Sequence, residues 1–121
     1  MADSPTPSAS DPIDPIGMFR LDGRVAIVTG ASAGLGRRFV RVLHAAGATV
    51  VAAARRADRL TELAAELGDR VVPVATDVAV DAERVRLVET ATEIGGRLDV
   101  LVNNAGISVI GPAETEPLER F

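Results

Sequence analysis

The chain has 121 residues, within the usual size of one domain, and 47% of them are apolar, which is normal for a folded globule. It contains no cysteine, which excludes disulfides and thiol chemistry, and its net charge of −4 argues against general binding to nucleic acid or membrane surfaces. No apolar run approaches the roughly 20 residues that span a bilayer, and no secretory signal is recognisable. We therefore expect a cytoplasmic protein without a nucleic-acid or membrane partner.

Two absent residue types restrict the chemistry further. The chain contains no tyrosine and no lysine, so all 13 basic residues are arginines. Any mechanism that needs a phenol or an amine is excluded for this chain as written.

The first 17 residues are rich in serine, proline and aspartate. Four prolines and few apolar groups cannot support a core, so residues 1–17 are predicted to be a disordered tail. Met18 stands where order should begin, as the true start or after a short interaction arm. The folded domain is predicted over 18–121.

Four apolar runs alternate with three amphipathic segments. The patterns predict strands at 24–29, 48–54, 70–75 and 98–102, and helices at 34–46, 57–67 and 81–94. Such alternation indicates parallel strands with right-handed crossovers and helices on both faces. Pro73 argues for an edge position of the third strand. We predict an α/β fold, a Rossmann-type doubly wound sheet of order 3-2-1-4, incomplete because a further helix beginning at Glu114 is cut off.

Helical spacing also predicts which side chains face the sheet. The predicted inward residues are Leu35, Phe39, Val42, Leu43 and Ala46 in the first helix, Leu60, Leu63, Ala64 and Leu67 in the second, and Val85, Leu87, Val88, Ala91 and Ile94 in the third.

A glycine turn joins the first strand to the first helix. Gly30, Gly34 and Gly36 follow the spacing G-x-x-x-G-x-G. Gly30 permits a sharp turn, Gly34 lets the backbone approach a bound group, and Gly36 lets the helix pack tightly on the strand. The helix N-terminus there favours an anion such as the pyrophosphate of a dinucleotide. The alternative is a structural turn without a ligand.

Polar residues also follow the other three strands, at the edge where ligands bind in this fold. Arg55 stands where a site for NAD usually has a carboxylate, and a guanidinium there can clamp a 2′-phosphate, so NADP is predicted over NAD. The alternative is a solvated Arg55-Arg56 pair at a helix start. Asp77 could accept from the adenine amino group, with Val78 N–H towards the ring, or it could simply cap a turn.

Asn103 and Asn104, after the fourth strand, could hold the cofactor loop or serve the turn alone. The lone histidine, His44, and the serines Ser32 and Ser108 have no partner that would make them catalytic. No His, Asp and Glu cluster has metal-ligand spacing, so we predict neither a catalytic residue nor a metal site.

Residues 29–36 (TGASAGLG), Asp77-Val78 and the stretch 103–106 (NNAG) together resemble the short-chain dehydrogenase/reductase family, in the right order and separations. The resemblance covers about 19–121 and implies a Rossmann subunit that transfers hydride between NAD(P)(H) and a carbonyl or alcohol substrate. It assigns Ser32, Leu35 and the glycines to the phosphates, Asp77 and Val78 to adenine, and Asn103, Ala105 and Gly106 to the ribose and nicotinamide. Ala33 and Asn104, within the same motifs, are also predicted to bind the cofactor. Ala33 departs from the basic residue of many NADP-preferring members, so the NADP prediction rests on Arg55.

The resemblance also implies a Tyr-x-x-x-Lys pair with a serine and an asparagine as acid/base machinery, and these would lie beyond Phe121. The chain is therefore interpreted as the cofactor-binding half of such an oxidoreductase, a homo-oligomer in its complete form. A non-catalytic dinucleotide sensor and a plain α/β interaction module are the alternatives.

Overall fold

A computed structural model describes residues 12–106. A short 3-10 turn, Gly17–Phe19, precedes the alternating elements β1 (Val25–Thr29), α1 (Gly34–Ala45), β2 (Thr49–Ala54), α2 (Ala57–Leu67), β3 (Val71–Ala75), α3 (Asp81–Gly95) and β4 (Val100–Val102). Each lies within one or two residues of its predicted bounds. Ser108, the helix predicted from Glu114 and most of the predicted tail lie outside the described residues.

All strand pairs are parallel, and the strand order β3-β2-β1-β4 confirms the predicted topology. Ile27 of β1 stands opposite Val51 of β2 and Leu101 of β4. Pro73 lies on the edge strand β3, where its missing N–H removes no bond from a central ladder. The order reverses between β1 and β4, which places a crevice at their carboxyl ends.

Side chains of successive strand residues enter two separate cores. Val28, Val50 and Ala52 pack with α1 and α2 on one face. Ile27 and Val51 pack with α3 on the other. β1 is buried along its whole length, as a central strand with helices on both faces must be.

The predicted inward face of α1 is partly wrong. Gly36 and Val40 are its buried residues, whereas Leu35 is 67% exposed and Val42 is 53% exposed. The helix packs tightly against the turn after β1 at Gly36, which has no side chain. A search for apolar spacing passes over such a residue and shifts the predicted face around the helix.

The same error affects α3. Leu87 and Ala91 are buried, but Val85, Val88 and Ile94 are 57%, 44% and 44% exposed. Small residues bring this helix onto the sheet: a Cβ on Gly95 would lie 2.2 Å from Val25 Cγ2. Val85, Val88 and Ile94 therefore lie beside the contact between α3 and the sheet. The predicted face of α2 is confirmed by buried Leu60 and Leu63, with Ala64 and Leu67 packed beside them.

Asp99 fastens β4 to β1 at the amino ends of the strands. Its carboxylate accepts from Arg97 Nε at 2.8 Å, from Val25 N at 2.9 Å and from Arg24 at 3.2 Å. The hydrogen bond from Arg97 is the largest cause that lowers the pKa of Asp99, followed among the favourable contacts by Val25 N and Arg24. This anchor stands at the opposite end of the sheet from the crevice.

Among residues 12–106, no helix has the length and apolar character that crossing a bilayer requires.

Candidate functional site

A cleft of about 510 Å³ opens at the carboxyl ends of the strands. Its lining comes from all four strand ends: Gly30, Ser32 and Ala33 after β1, residues 53–56 around the end of β2, residues 76–79 after β3, and residues 104–106 after β4. The cleft therefore lies at the crevice that the strand order creates, and every βα connection contributes to it.

The glycine turn forms the floor of the cleft by close backbone contact. Gly30 has φ +63° and Gly34 has φ +58°, the left-handed region that favours glycine. A Cβ on Gly36 would lie 2.0 Å from the Gly30 carbonyl oxygen. The start of α1 can therefore lie this close to the turn only because residue 36 has no side chain. The N-cap residue, Ala33, makes no side-chain hydrogen bond to the helix.

The Thr29 hydroxyl fixes the loop after β4 above the glycine turn. It accepts from Asn104 N and Ala105 N, each at 3.0 Å, and donates to Val102 O at 3.3 Å. Asn104 Nδ2 adds a bond to Gly30 O at 3.3 Å. Thr29 is only 5% exposed, so its hydroxyl is a buried hub that sets the distance between the two sides of the cleft.

Two exposed arginines stand at the end of β2. Arg55 and Arg56 line the cleft, and within residues 12–106 neither forms an ion pair or a side-chain hydrogen bond. The residue before them, Ala54, is apolar and buried. This edge of the cleft therefore carries uncompensated positive charge in the part of the chain that the structure describes.

A tight turn follows β3 and forms the facing wall. Thr76 is 3% exposed, and its N–H donates to Ala54 O at 2.9 Å, which joins the ends of β3 and β2. Asp77 Oδ1 accepts from Ala79 N at 3.0 Å, and Val80 N donates to Asp77 O at 3.1 Å. The carboxylate of Asp77 thus has a defined orientation at the cleft wall.

The structure brings most of the predicted site residues together. Lining the cleft are Gly30, Ser32, Ala33, Arg55, Asp77, Val78, Asn104, Ala105 and Gly106. Four predicted residues are not in this lining. Gly36 is buried against the turn, whereas Gly34, Leu35 and Asn103 are exposed.

Sequence reasoning missed several residues of the site. Thr29, Thr76, Arg56 and Ala79 belong to the cleft or hold it in place. A signal existed for the threonines, because a hydroxyl residue that closes a buried apolar strand needs hydrogen-bond partners. Arg56 directly follows the predicted residue Arg55, and Ala79 directly follows the predicted residue Val78.

No group of three or more His, Asp or Glu residues that could hold a metal ion occurs between residues 12 and 106. His44 lies in the last turn of α1, at the end of the sheet away from the cleft. Burial, and next the charge of Arg70, lower the pKa of His44. Its position separates it from the chemistry of the cleft.

A parallel β3-β2-β1-β4 sheet with a glycine turn at its reversal point is a Rossmann-type nucleotide-binding fold. The model of the short chain dehydrogenase family matches residues 24–121. The chain belongs to this family, which confirms the resemblance that the motifs indicated.

Relatives with known names or structures agree. The chain is 47% identical over 94 residues to nodulation protein G of Rhizobium sp. (strain N33), covering 78% of this chain and 38% of that protein. It is 41% identical over 102 residues to the 3-beta-hydroxysteroid dehydrogenase of Comamonas testosteroni, covering 84% and 40%. The structure of 3-ketoacyl-(acyl-carrier-protein) reductase from Brucella melitensis, complexed with NADH, matches with a TM-score of 0.74 and 37% identity, covering 83% of this chain and 42% of that one. The chain thus spans about two fifths of the length of these relatives.

Proposed function

We propose that this chain is the NADP(H)-binding part of a short-chain dehydrogenase/reductase that transfers hydride between NADP(H) and a carbonyl or alcohol substrate. One observation carries the proposal: the glycine turn, the Asp77 turn and two arginines without an acidic partner among residues 12–106 all open onto a single cleft. Parallel strands bring these positions together in any such sheet, but the fold alone does not require them to carry these groups.

The glycine turn fits the pyrophosphate. Gly30 and Gly34 have positive φ, and the space beside Gly34 is open, with nothing within 4 Å of an added Cβ. The first N–H groups of α1 have no side-chain cap at Ala33. A phosphate oxygen can accept hydrogen bonds from such N–H groups while the helix dipole favours its charge.

The end of β2 supports NADP over NAD. A site that selects NAD needs a carboxylate here to accept from the ribose hydroxyls, and this chain has none: the buried Ala54 is followed directly by Arg55. Arg55 instead offers a guanidinium at the cleft edge, with no acidic partner among residues 12–106. A 2′-phosphate would supply the missing negative charge through charge-assisted hydrogen bonds.

The residues of the cleft bind and orient rather than transfer protons. When bound, NADPH would supply a hydride for a carbonyl carbon, and the carbonyl oxygen would need a proton from a protein group. The chain contains neither tyrosine nor lysine, the two residues that the family resemblance assigns to this proton transfer. We therefore propose that this chain binds the nucleotide and does not reduce a carbonyl unaided.

Titration of the 121-residue chain with NADPH and with NADH, followed by nucleotide fluorescence, tests the proposal. The wild-type chain should bind NADPH more tightly. Arg55→Ala should weaken NADPH binding by about 10- to 100-fold, because a hydrogen bond to a charged group contributes about 1.5–3 kcal/mol. NADH binding should change by less than about threefold, since NADH has no 2′-phosphate to lose.

Arg59→Ala is the matched control, because Arg59 is an exposed arginine of α2 outside the cleft. It should leave both affinities unchanged. Tighter binding of NADH by the wild-type chain would end the NADP assignment, and no binding of either nucleotide would end the proposed function.

A further inference from the structure

The Asp77 turn is held from behind by two charged side chains of α3. Glu83 Oε1 accepts from Asp77 N at 3.0 Å. Arg84 Nη1 donates to Val78 O and Nη2 pairs with Asp81. Neither Glu83 nor Arg84 lines the cleft.

The bond from Arg84 reaches Asp77 through one peptide group. Val78 C=O and Ala79 N–H belong to the same planar trans peptide, so they point in opposite directions. With Val78 O held by Arg84, Ala79 N–H is directed to the other side, where it donates to Asp77 Oδ1 at 3.0 Å. The guanidinium outside the cleft therefore determines which way the carboxylate inside it faces.

Glu83 acts two peptide groups earlier, on the peptide between Thr76 and Asp77. Asp77 comes directly after the buried Thr76, and the N–H of Thr76 donates to Ala54 O. Without the Glu83 carboxylate, the Asp77 N–H has no other acceptor among residues 12–106, and the turn loses one of its two side-chain links to the first turn of α3. The two side chains thus hold two of the three peptide groups between Thr76 and Ala79.

We propose that Arg84 and Glu83 are positioning residues for recognition of the adenine base, acting through the orientation of the Asp77 carboxylate. The proposal rests on the proposed function, since it requires a nucleotide whose adenine lies against Asp77 and Val78. It predicts that variants outside the cleft change the selectivity for the base, as well as the affinity.

The test compares NADP with nicotinamide hypoxanthine dinucleotide phosphate, which differs only in the purine. The hypoxanthine analogue has a carbonyl oxygen in place of the 6-amino donor, so a correctly oriented Asp77 carboxylate repels it. The wild-type chain should bind NADP about 10-fold more tightly than the analogue, the size of one charge-assisted hydrogen bond. Isothermal titration of the 121-residue chain gives both affinities.

Arg84→Met should weaken NADP binding by about 3- to 10-fold and bring the ratio of the two affinities towards one. Arg84→Lys, which can still donate to Val78 O, should recover most of the ratio. Glu83→Ala should behave like Arg84→Met, whereas Glu83→Gln retains an oxygen that can accept from Asp77 N and should keep the wild-type ratio. Arg86→Met and Glu89→Ala, on exposed positions of the same helix, are the matched controls.

The outcomes separate the two proposals. If the wild-type chain binds neither nucleotide, the proposed function is wrong. If it binds NADP and the analogue equally, or if Arg84→Met and Glu83→Ala keep the wild-type ratio, the positioning role is wrong while the proposed function stands. A variant that loses affinity for both nucleotides equally has only a structural defect, and that result also refutes the positioning role.

Discussion

We expect the cleft to be most sensitive to mutation at Thr29, because its single hydroxyl oxygen forms hydrogen bonds with three backbone groups. Thr29→Val keeps the shape of the side chain and removes that oxygen. Asn104 N and Ala105 N each lose an acceptor at 3.0 Å, and Val102 O loses a donor at 3.3 Å. The loop after β4 is then fastened to the glycine turn only by the bond from Asn104 Nδ2 to Gly30 O, among the hydrogen bonds described above.

The loss of stability depends on whether water can replace the hydroxyl as a hydrogen-bond partner. A buried group left without a partner costs about 1–3 kcal/mol. Asn104 is half-buried and Ala105 is exposed, so water can reach part of the site and the lower half of that range applies. We expect Thr29→Val to lower the free energy of unfolding by about 1–2 kcal/mol, where each kcal/mol lowers the Tm of a domain this size by about 4–8 °C.

Thermal unfolding followed by circular dichroism, with and without NADP, measures the effect. Thr29→Ser is the control, because it restores the oxygen and should recover most of the Tm. The stabilisation by NADP should be smaller in Thr29→Val than in wild type, since residues 104–106 line the cleft. An unchanged Tm in Thr29→Val, or a serine variant as unstable as the valine variant, would refute the reasoning.

Three further predictions concern the glycine turn, the opposite end of the sheet and the exposed apolar surface. Gly36→Ala places a Cβ 2.0 Å from the Gly30 carbonyl oxygen, so it should cost at least about 3 kcal/mol in chemical denaturation and abolish NADPH binding, and a near-neutral effect would contradict the close packing. Asp99 has a lowered pKa in the folded chain, so it stabilises the fold above its unfolded pKa of about 3.9, and this stability is lost as the pH falls through the lower folded value. Asp99→Asn should therefore lower the free energy of unfolding by about 1–2 kcal/mol at pH 7 and flatten the acid limb of a stability–pH curve. It should leave the preference for NADPH over NADH unchanged. An unaltered acid limb would show that the ionised Asp99 carboxylate does not stabilise the fold. Leu101 on β4 is 51% exposed, and together with Val85, Val88 and Ile94 it leaves apolar surface uncovered in the described residues. The chain should therefore self-associate on size-exclusion chromatography, and Leu101→Arg should raise the monomer fraction. A wild-type chain that is monomeric at all concentrations would contradict this.

The topology was predictable because its signals are local. Each strand is a short apolar run, glycines follow each helix, and Pro73 marks the edge strand. The helix faces were less predictable, since α1 packs closely at Gly36 and α3 at Gly95, although the inward positions of Leu87 and Ala91 are confirmed. Close approach by small residues leaves no hydrophobic signal, whereas the exposed Val42 or Val85 does.

The same difference applies to the cleft. Its rim could be predicted, because polar residues after parallel strands must meet at the carboxyl edge of the sheet. The hydrogen bonds that hold the rim could not, because they join residues about 75 positions apart, as in Thr29 to Asn104 and Ala105. The contact of Arg84 with Val78 is closer in sequence, yet it depends on the orientation of one peptide group, which no residue pattern specifies.

A crystal structure of this chain with NADP would show directly whether the cleft holds the nucleotide. We expect the pyrophosphate against the turn from Gly30 to Gly36, the 2′-phosphate in contact with Arg55, and the adenine beside Asp77 and Val78. A nucleotide bound anywhere else, or a 2′-phosphate without contact to Arg55, would contradict this expectation.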